Sequence, residues 1–489
     1  MAFTRETIVK SFFWKLSERL SAQLIQFVVT IVLARLLLPA EYGIITLIAV
    51  FIRLCEVIID GGLNTALIQK KDADNVDFST IFYFSLGMAV VLYGVMFVCA
   101  PQLAVFYSQP ELTPVIRVLS ISLFFYAINS IQRAYVSKHM LFRRLFYSSL
   151  GAVVISGCVG ISLAYHGYGV WALVAQNISS QFFTTLIMWF TVRWRPVLQF
   201  SVEKFKGLFN YGWKIFGASF ITSLFVNFRK LIIGKFYAPA SLAYYEKGEQ
   251  LPSLVMSNIF TSVQTILFPT FSDAQDDRSK VKAMMRRSTK LSCFFIYPLM
   301  VGMIVAAKPL ITFLLTDKWL PAVPFVQILC IANFFTPITI SNWEAIKALG
   351  YSGITLKLEI LKKIVDITIL VISAFIGVYA IAWGCVLYNL ICVFINLAPN
   401  KKLLNYGVAE QVKDAVPTLL IALAMGVGVY WVQFMELSNF VILVIQFMLG
   451  AGIYASLSFL FKEESMMYCL EMIKQGKSKY HKKKDVCSK

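Results

Sequence analysis

Apolar runs of about twenty residues fill this chain almost from end to end, and they exclude most soluble folds. Hydrophobic residues make up 58% of the 489 residues, and short charged loops separate the runs. A run of about twenty apolar residues is long enough to cross a bilayer as a helix. The pattern therefore predicts an all-α polytopic membrane protein with about 14 transmembrane helices and no large soluble domain. The predicted spans are residues 12–36, 41–60, 78–99, 114–136, 145–165, 168–191, 211–236, 240–266, 289–314, 322–346, 356–376, 378–398, 414–433 and 438–461.

The charges of the loops support this number of spans. Basic residues concentrate in one set of loops, as at Arg143 and Arg144, whereas the alternate loops, such as residues 102–113, are almost bare. Positively charged loops remain in the cytoplasm, so both termini are expected there. Topology thus accounts for the net charge of +19 better than a nucleic-acid partner does. The lysine-rich tail at 474–489 has two readings, contact with anionic lipid or a disordered solubilising segment.

An internal repeat relates the two halves of the chain. Residues 33–43 read LARLLLPAEYG, and about 200 residues later 233–243 read IGKFYAPASLA, with Pro39 matched to Pro239. Two further echoes keep the same order and a similar offset: 118–125 with 328–335, and 167–171 with 377–381. Six spans per repeat is an even number, so both repeats have the same orientation in the membrane. Such a parallel repeat places the substrate site between two lobes.

The repeat defines the expected domains. We predict two six-helix lobes, at 1–200 and 201–400, related by a pseudo-two-fold axis along the membrane normal. Two additional transmembrane helices at 401–461 and a basic cytoplasmic tail at 462–489 follow them.

A polar stripe runs along the first span. Arg19, Gln23, Gln26 and Thr30 are spaced by four, three and four residues, which places them on one helical face. An arginine and two amides facing lipid would be costly, and such residues normally face a bundle interior or a watery cavity. We therefore expect this stripe to line a path for a polar cargo.

The seventh span repeats this pattern. Its polar residues lie at offsets of 3, 4, 8 and 11 from the first of them and share one face: Ser219, Thr222, Ser223, Asn227 and Lys230. Matched polar faces in the first helix of each lobe predict a hydrated central cleft. The alternative is that these side chains hold packed helices together, as serine and threonine commonly do in membranes.

Carboxylates in two other spans are candidates for ion coupling. Arg53, Glu56 and Asp60 share a face of the second span, where a protonatable carboxylate would lie beside a substrate-binding arginine. Alternatively Arg53 and Glu56 form a structural ion pair and Asp60 caps the helix end. In the eighth span, Glu249 precedes Pro252, which we expect to interrupt the helix as in discontinuous transporter helices. Alternatively, Glu249 lies near one end of the span and is simply exposed to solvent.

No enzyme signature is present. The chain lacks a P-loop, an H-E-x-x-H motif and a G-x-S-x-G motif, so no ATP site or hydrolase nucleophile is predicted. The nine cysteines include no C-x-x-C pair, so neither a zinc site nor a disulfide framework is expected. Any uphill transport must then use an ion gradient, of H⁺ or Na⁺, or the chemistry of neighbouring steps, and no other cofactor is expected.

The quoted motifs resemble those of polysaccharide exporters. Residues 33–43 resemble the L-A-R-x-L-x-P-x-x-Y-G signature of that group in the multidrug, oligosaccharidyl-lipid and polysaccharide (MOP) superfamily. The segments 233–245 (IGKFYAPASLAYY) and 267–275 (LFPTFSDAQ) are similar to the colanic- and teichuronic-acid exporter branch. Ala243, where the branch usually has glycine, and the charged run at 246–249 depart from its pattern and bear on the cargo.

This resemblance implies a V-shaped, alternating-access flippase in the bacterial inner (plasma) membrane. It would move an undecaprenyl-pyrophosphate-linked oligosaccharide from the cytoplasmic to the outer leaflet for surface polysaccharide biosynthesis, and the resemblance implies exchange for protons or sodium ions. The cationic cavity residues of the family would correspond to Arg19 and Arg53 in the first lobe and to Arg229 or Lys230 in the second. The expected partners are the lipid-linked substrate, the membrane, and the polymerase and glycosyltransferases of the same pathway.

Two other functions compete with this one. A multidrug or cation antiporter of the same superfamily would require unpaired buried carboxylates, whereas the expected cleft is net basic. A membrane-embedded glycan polymerase or ligase would require a large outer loop with catalytic groups, and every predicted outer loop is short.

Overall fold

The computed structural model describes residues 5–471, and every regular element in that range is helical. Side chains at 5–9, 12, 258, 260–263, 265–266 and 352 are outside this description, as is the basic tail from 472 onward. The helices are α1 (Arg5–Leu36), α2 (Pro39–Asp60), α3 (Leu63–Gln69), α4 (Asn75–Phe106), α5 (Leu112–Leu119), α6 (Ser122–Lys138), α7 (Phe142–Tyr165), α8 (Val170–Thr191), α9 (Val202–Phe236), α10 (Pro239–Asp273), α11 (Arg278–Leu315), α12 (Val323–Asn333), α13 (Thr336–Ala348), α14 (Ser352–Ala374), α15 (Val378–Leu404), α16 (Val408–Tyr430) and α17 (Asn439–Leu460).

Every predicted span coincides with a long helix or with two consecutive helices. Within the described residues, 11 of these segments are long and apolar enough to cross a membrane. The segments Leu112–Lys138 and Asp317–Ala348 each join two helices, α5 with α6 and α12 with α13. The remaining predicted spans, α8, α10 and α14, are long helices with more polar residues. The all-α polytopic fold is confirmed, and the number fourteen stays a prediction.

The interruption expected at Pro252 is wrong. Helix α10 runs from Pro239 to Asp273 with Pro252 and Pro269 inside it. A proline removes one backbone hydrogen bond and bends a helix, but the flanking turns keep their own bonds, and in an apolar environment they have no other partners. One lost hydrogen bond is therefore tolerated without a break in the helix.

Contacts between helices divide the chain into two compact units, Met1–Ala243 and Tyr244–Lys489. In the first unit α1 packs on α7, α7 packs on α8, and α9 packs on α2, α3 and α4. In the second unit α11 is central and contacts α12, α13, α16 and α17. The predicted lobes at 1–200 and 201–400 describe a sequence repeat rather than packing, so they stay a prediction, as do the segments 401–461 and 462–489.

Glycines bring α2 close to neighbouring backbone at both of its ends. A Cβ atom on Gly43 would lie 1.9 Å from the carbonyl oxygen of Pro239, and one on Gly62 would lie 2.3 Å from that of Gly212. Gly62 also has a φ of 69°, which a glycine adopts without strain. Only glycine permits these two approaches. They hold α2 against α9 and against the start of α10, and the middle of α2 remains free to border a groove.

Ion pairs fix the beginning of α9 to the same unit. Lys204 donates to Asp74, the residue that caps α4, at 2.5 Å. This hydrogen bond lowers the pKa of Asp74 to about 2, so the carboxylate is ionised at neutral pH. Lys70 pairs with the buried Asp77 at 2.7 Å, and Lys138 donates to the carbonyl oxygen of Lys70. The loop between α3 and α4 is thereby anchored next to α9.

The second unit contains a buried polar network. Asn342 of α13 donates to Gln411 of α16 at 2.7 Å and accepts from Asn400 of α15 at 2.7 Å. Tyr406 donates to Asp414 at 2.7 Å. Amides buried among three helices are stable when they satisfy one another, and such a network fixes how the helices are aligned.

We predict that Gly43→Ala lowers the thermal stability of the purified protein. The added methyl group would collide with the Pro239 carbonyl, a backbone atom that cannot move alone, at a cost of about 1–3 kcal/mol. Thermal unfolding in detergent measures the change. Gly87→Ala in α4 is the matched control, because a Cβ there meets nothing within 4 Å. Equal melting temperatures for the two variants would contradict the close approach.

Candidate functional site

A groove lies between the middle of α2 and the middle of α9. Its volume is about 450 Å³. Helix α2 contributes Arg53 and Val57 to its wall. Helix α9 contributes the opposite wall, made of Ala218, Ser219, Thr222, Ser223, Val226 and Asn227. The structure therefore brings the polar face of the seventh predicted span together with the arginine of the second.

The wall formed by α9 carries four polar side chains, Ser219, Thr222, Ser223 and Asn227, together with the apolar Ala218 and Val226. The spacing of its members by three and four residues places them on one face of the helix. The Thr222 hydroxyl donates to the Ala218 carbonyl at 2.8 Å, and the Asn227 amide donates to the Ser223 carbonyl at 2.8 Å. Thr222 thus offers an acceptor oxygen to a ligand, while Asn227 retains one N–H and its carbonyl oxygen.

Arg53 is held by Glu56 and still reaches solvent. Its Nη1 atom lies 3.1 Å from Oε2 of Glu56. The Arg53 side chain is 67% exposed, whereas that of Glu56 is 9% exposed. The ion pair considered as an alternative is therefore present. Because a guanidinium has five N–H donors, one bond to Glu56 leaves most of them available to the groove.

A group of ionisable side chains lies behind Arg53. Tyr126 and Arg133 of α6 are within electrostatic range of Glu56. Asp60, the last residue of α2, accepts a hydrogen bond from the side chain of Asn64 in α3, and Gly61 is the residue that caps α2. Tyr126 was not identified from the sequence, although its seven-residue spacing from Arg133 places both on one face of a helix.

The stripe on α1 lies outside this groove. Arg19 is exposed, and Gln23 and Gln26 are half-buried. The neighbouring Glu18 accepts from Ser149 of α7 at 3.0 Å, so that side of α1 faces α7. None of the three polar residues is part of the groove wall, and their role in substrate binding stays a prediction.

The other candidates occupy separate positions. Asn227 lines the groove, whereas Arg229 and Lys230 are half-buried on other parts of α9. Glu249 is half-buried on α10 and belongs to the second unit. Their roles as substrate-binding or ion-coupling residues stay predictions. Within the described part of the chain, no three His, Cys, Asp or Glu side chains are grouped so that they could hold a metal ion.

The long apolar helices and the polar groove among them define a multi-pass membrane protein of the transporter type. The fold agrees with solved structures of that class. A structure described as the lipid II flippase MurJ in an inward closed conformation matches with a TM-score of 0.72 and 15% identity, over 93% of this chain and 99% of that one. An inward-facing multidrug resistance MATE family transporter of the MOP superfamily matches with a TM-score of 0.59 and 14% identity, over 80% and 98%.

The chain belongs to the polysaccharide biosynthesis protein family, whose model matches residues 32–324. This match confirms the resemblance found in the sequence motifs. The teichuronic acid biosynthesis protein TuaB of Bacillus subtilis is 25% identical over 60% of this chain, which spans 62% of that relative. The succinoglycan biosynthesis transport protein ExoT of Rhizobium meliloti is 22% identical over 78% of both chains.

The geometry predicts that the groove is wet and attracts anions. A cysteine at Thr222 should react faster with a sulfonate-bearing methanethiosulfonate than with its ammonium counterpart, relative to a free thiol. We expect about a fivefold preference because Arg53 raises the local anion concentration. Arg53→Gln should remove the preference. Peptide mass spectrometry of the reconstituted full chain measures both rates.

Ile221→Cys provides the control for this labelling. Ile221 is 55% exposed and is not part of the groove wall, so its thiol should show no preference for the anionic reagent. The same charge preference at both positions, or its survival in Arg53→Gln, would contradict an anion-attracting groove.

Proposed function

We propose that this protein is a flippase for a lipid-linked oligosaccharide, a transporter and not an enzyme. The cargo is an undecaprenyl-pyrophosphate-linked repeat unit, moved from the cytoplasmic to the outer leaflet of the bacterial inner membrane by alternating access. The distribution of basic loops supports a cytoplasmic location for both termini. The observation that carries the proposal is the groove in which Arg53 faces the hydroxyl and amide side chains of α9.

The two walls of the groove correspond to the two polar parts of such a cargo. A guanidinium binds phosphate oxygens through charge-assisted, often bidentate hydrogen bonds. The opposite wall offers Ser219 and Asn227, which can donate and accept hydrogen bonds, and Thr222, which can accept them, as partners for sugar hydroxyls. An isoprenoid tail needs no polar partner and can stay in the lipid.

The contact between Arg53 and a phosphate would be mainly electrostatic. Two unit charges about 4 Å apart interact by about 4 kcal/mol at an effective dielectric constant of about 20, before desolvation is subtracted. Arg53 is largely exposed and keeps its hydration, so water must be displaced when a phosphate binds and solvent screening weakens the attraction. The attraction that remains favours an anionic ligand over a cationic one at this position.

The names of the relatives point in the same direction. TuaB and ExoT are named for polysaccharide biosynthesis, and ExoT is named as a transport protein. MurJ, which shares the fold, is named as a lipid II flippase. A multidrug antiporter is the second candidate, because a MATE transporter shares the fold. Its cationic drugs would meet the exposed Arg53 in the groove, which disfavours them.

Transport assays test the role of Arg53. We predict that Arg53→Ala reduces export of the lipid-linked repeat unit at least tenfold while membrane levels of the protein stay unchanged, because the phosphate loses its charged donor. The readout is accumulation of the lipid-linked unit on the cytoplasmic leaflet, as expected also after gene deletion. Arg19→Ala tests the stripe on α1 in the same way.

Arg117→Ala is the matched control for these variants. Arg117 lies over the ring of Phe97, 4.2 Å from its centroid, and is not part of the groove wall. Normal export in Arg53→Ala and in Arg19→Ala would rule out a cationic substrate site. Altered drug accumulation with unaffected export would favour the antiporter.

Coupling to an H⁺ or Na⁺ gradient is part of the proposal, with Glu56, Asp60 and Glu249 as candidate carriers. Glu56 is the best placed, since it is buried and contacts the groove arginine. We predict that Glu56→Gln uncouples export from the gradient, because an amide cannot exchange a proton or balance Na⁺. Flux in proteoliposomes with imposed pH or sodium gradients is the measurement. If export in Glu56→Gln still responds to the gradient, a residue other than Glu56 carries the coupling ion.

A further inference from the structure

Helix α11 is much longer than a bilayer requires. Its 38 residues extend about 57 Å at 1.5 Å per residue, whereas about 20 residues cross the hydrocarbon core. Six of its cations lie within the first 13 residues, at Arg278, Lys280, Lys282, Arg286, Arg287 and Lys290. From Leu291 to Leu315 the only charged residue is Lys308. The boundary between the polar interface and the apolar core therefore falls near Leu291.

A basic pocket lies at this boundary. It has a volume of about 300 Å³. Its wall combines α11 with the short helix at 464–471 that follows α17. The residues that matter for a ligand are Arg286, Arg287 and Lys290 on α11, and Glu464 and Tyr468 on the short helix.

Two of these three cations are already paired. Arg286 contacts Asp414 at 2.9 Å, and Lys290 contacts Glu464 at 2.7 Å. Arg287 differs, because no carboxylate among the described residues lies within ion-pair distance of it. Its guanidinium lies 3.3 Å from the centroid of the Tyr468 ring. Stacking uses the flat side of the guanidinium and leaves its N–H groups directed sideways, where they can bind a phosphate.

An apolar path leads from Arg287 along α11. Leu291, Phe295, Leu299 and Gly302 follow at steps of four, four, four and three residues, so they share one face of the helix. Phe295 is 51% exposed and Leu299 is 43% exposed. The path enters an apolar groove of about 520 Å³ between α11, α16 and α17, which Leu299 and Gly302 help to line.

We propose that this surface is a binding site for an anionic phospholipid of the surrounding bilayer. The phosphate binds Arg287 in the basic pocket, and one acyl chain follows the path into the apolar groove. The 12 residues from Leu291 to Gly302 cover about 16 Å. This length matches the depth of one leaflet, about 15 Å, which favours a bilayer phospholipid over a much longer polyprenyl chain.

The occupant would connect three parts of the second unit. Its headgroup contacts α11 and the short helix at 464–471, and its chain contacts α16 and α17. The lipid therefore stabilises this unit by binding the folded form, as any ligand does. This inference depends only on the membrane location of the chain and not on the proposed cargo.

Lipid titration of the purified full-length protein tests the site. We expect dioleoyl-phosphatidylglycerol to remain bound in native mass spectrometry and to raise the melting temperature more than dioleoyl-phosphatidylcholine does. Arg287→Gln should weaken phosphatidylglycerol binding about fivefold, the effect of one basic residue at a membrane surface. Lys280→Gln, which removes the same charge from α11 outside the pocket, should leave binding unchanged.

A second variant tests the chain path. A Cβ at Gly302 meets nothing within 4 Å and Gly302 lines the apolar groove, so the larger side chain of Gly302→Phe should take up part of its volume. It should weaken retention of phosphatidylglycerol several-fold while Arg287 stays intact. Equal loss in Arg287→Gln and Lys280→Gln would overturn the headgroup site, and unchanged retention in Gly302→Phe would overturn the chain path.

Two competition experiments identify the occupant. Inorganic phosphate that displaces phosphatidylglycerol at millimolar concentration would show an anion site without a lipid path. Undecaprenyl phosphate that binds the wild type in preference to phosphatidylglycerol, and loses affinity in Arg287→Gln, would show a site for the cargo lipid. Either result would overturn the proposal. Phosphatidylglycerol that stays bound in the presence of each competitor would support it.

Discussion

Close backbone contact at the two ends of α2 is the constraint on which the candidate site depends. Gly43 lies against the carbonyl of Pro239, and Gly62 lies against that of Gly212. Side chains of any size at these glycines would separate the helices. With both ends in contact, the middle of α2 borders α9 across a groove whose width is set by side chains. Backbone contact therefore determines where the groove is, and its wall determines what can bind there.

The pair of Arg53 and Glu56 shows why structural and functional interpretations of intramembrane charges need not exclude each other. A buried carboxylate without a cation would be costly, and so would an arginine facing lipid. The pair removes both costs, because Glu56 is buried and Arg53 extends from it into the groove. A guanidinium has more donors than one carboxylate can occupy. The same contact that stabilises the helix bundle thus presents a charged donor to a ligand.

The sequence was sufficient to predict the fold class and the polar residues of the groove wall that α9 forms. Apolar run length predicts the helices, and a spacing of three and four residues correctly placed Ser219, Thr222 and Asn227 on one face. Which faces meet depends on how helices pack, and that depends on non-local contacts such as Gly62 with Gly212. Periodicity within one helix contains no such information. For this reason the sequence did not show that Arg53 borders α9.

Polar residues explain why three of the fourteen predicted spans fall outside the 11 described segments that are apolar enough to cross a membrane. In α14, Glu359 pairs with Lys362 at 2.7 Å, and the Lys362 ammonium lies 3.9 Å from the centroid of the Trp343 ring of α13. In α8, Thr184 satisfies its hydroxyl by donating to the Ser180 carbonyl at 2.7 Å. Such helices cross a membrane at low cost only when neighbours shelter them. The charge of a loop does not depend on how the helices beside it are packed. The alternation of basic and uncharged loops can therefore indicate a membrane span whose hydropathy is too low to be recognised.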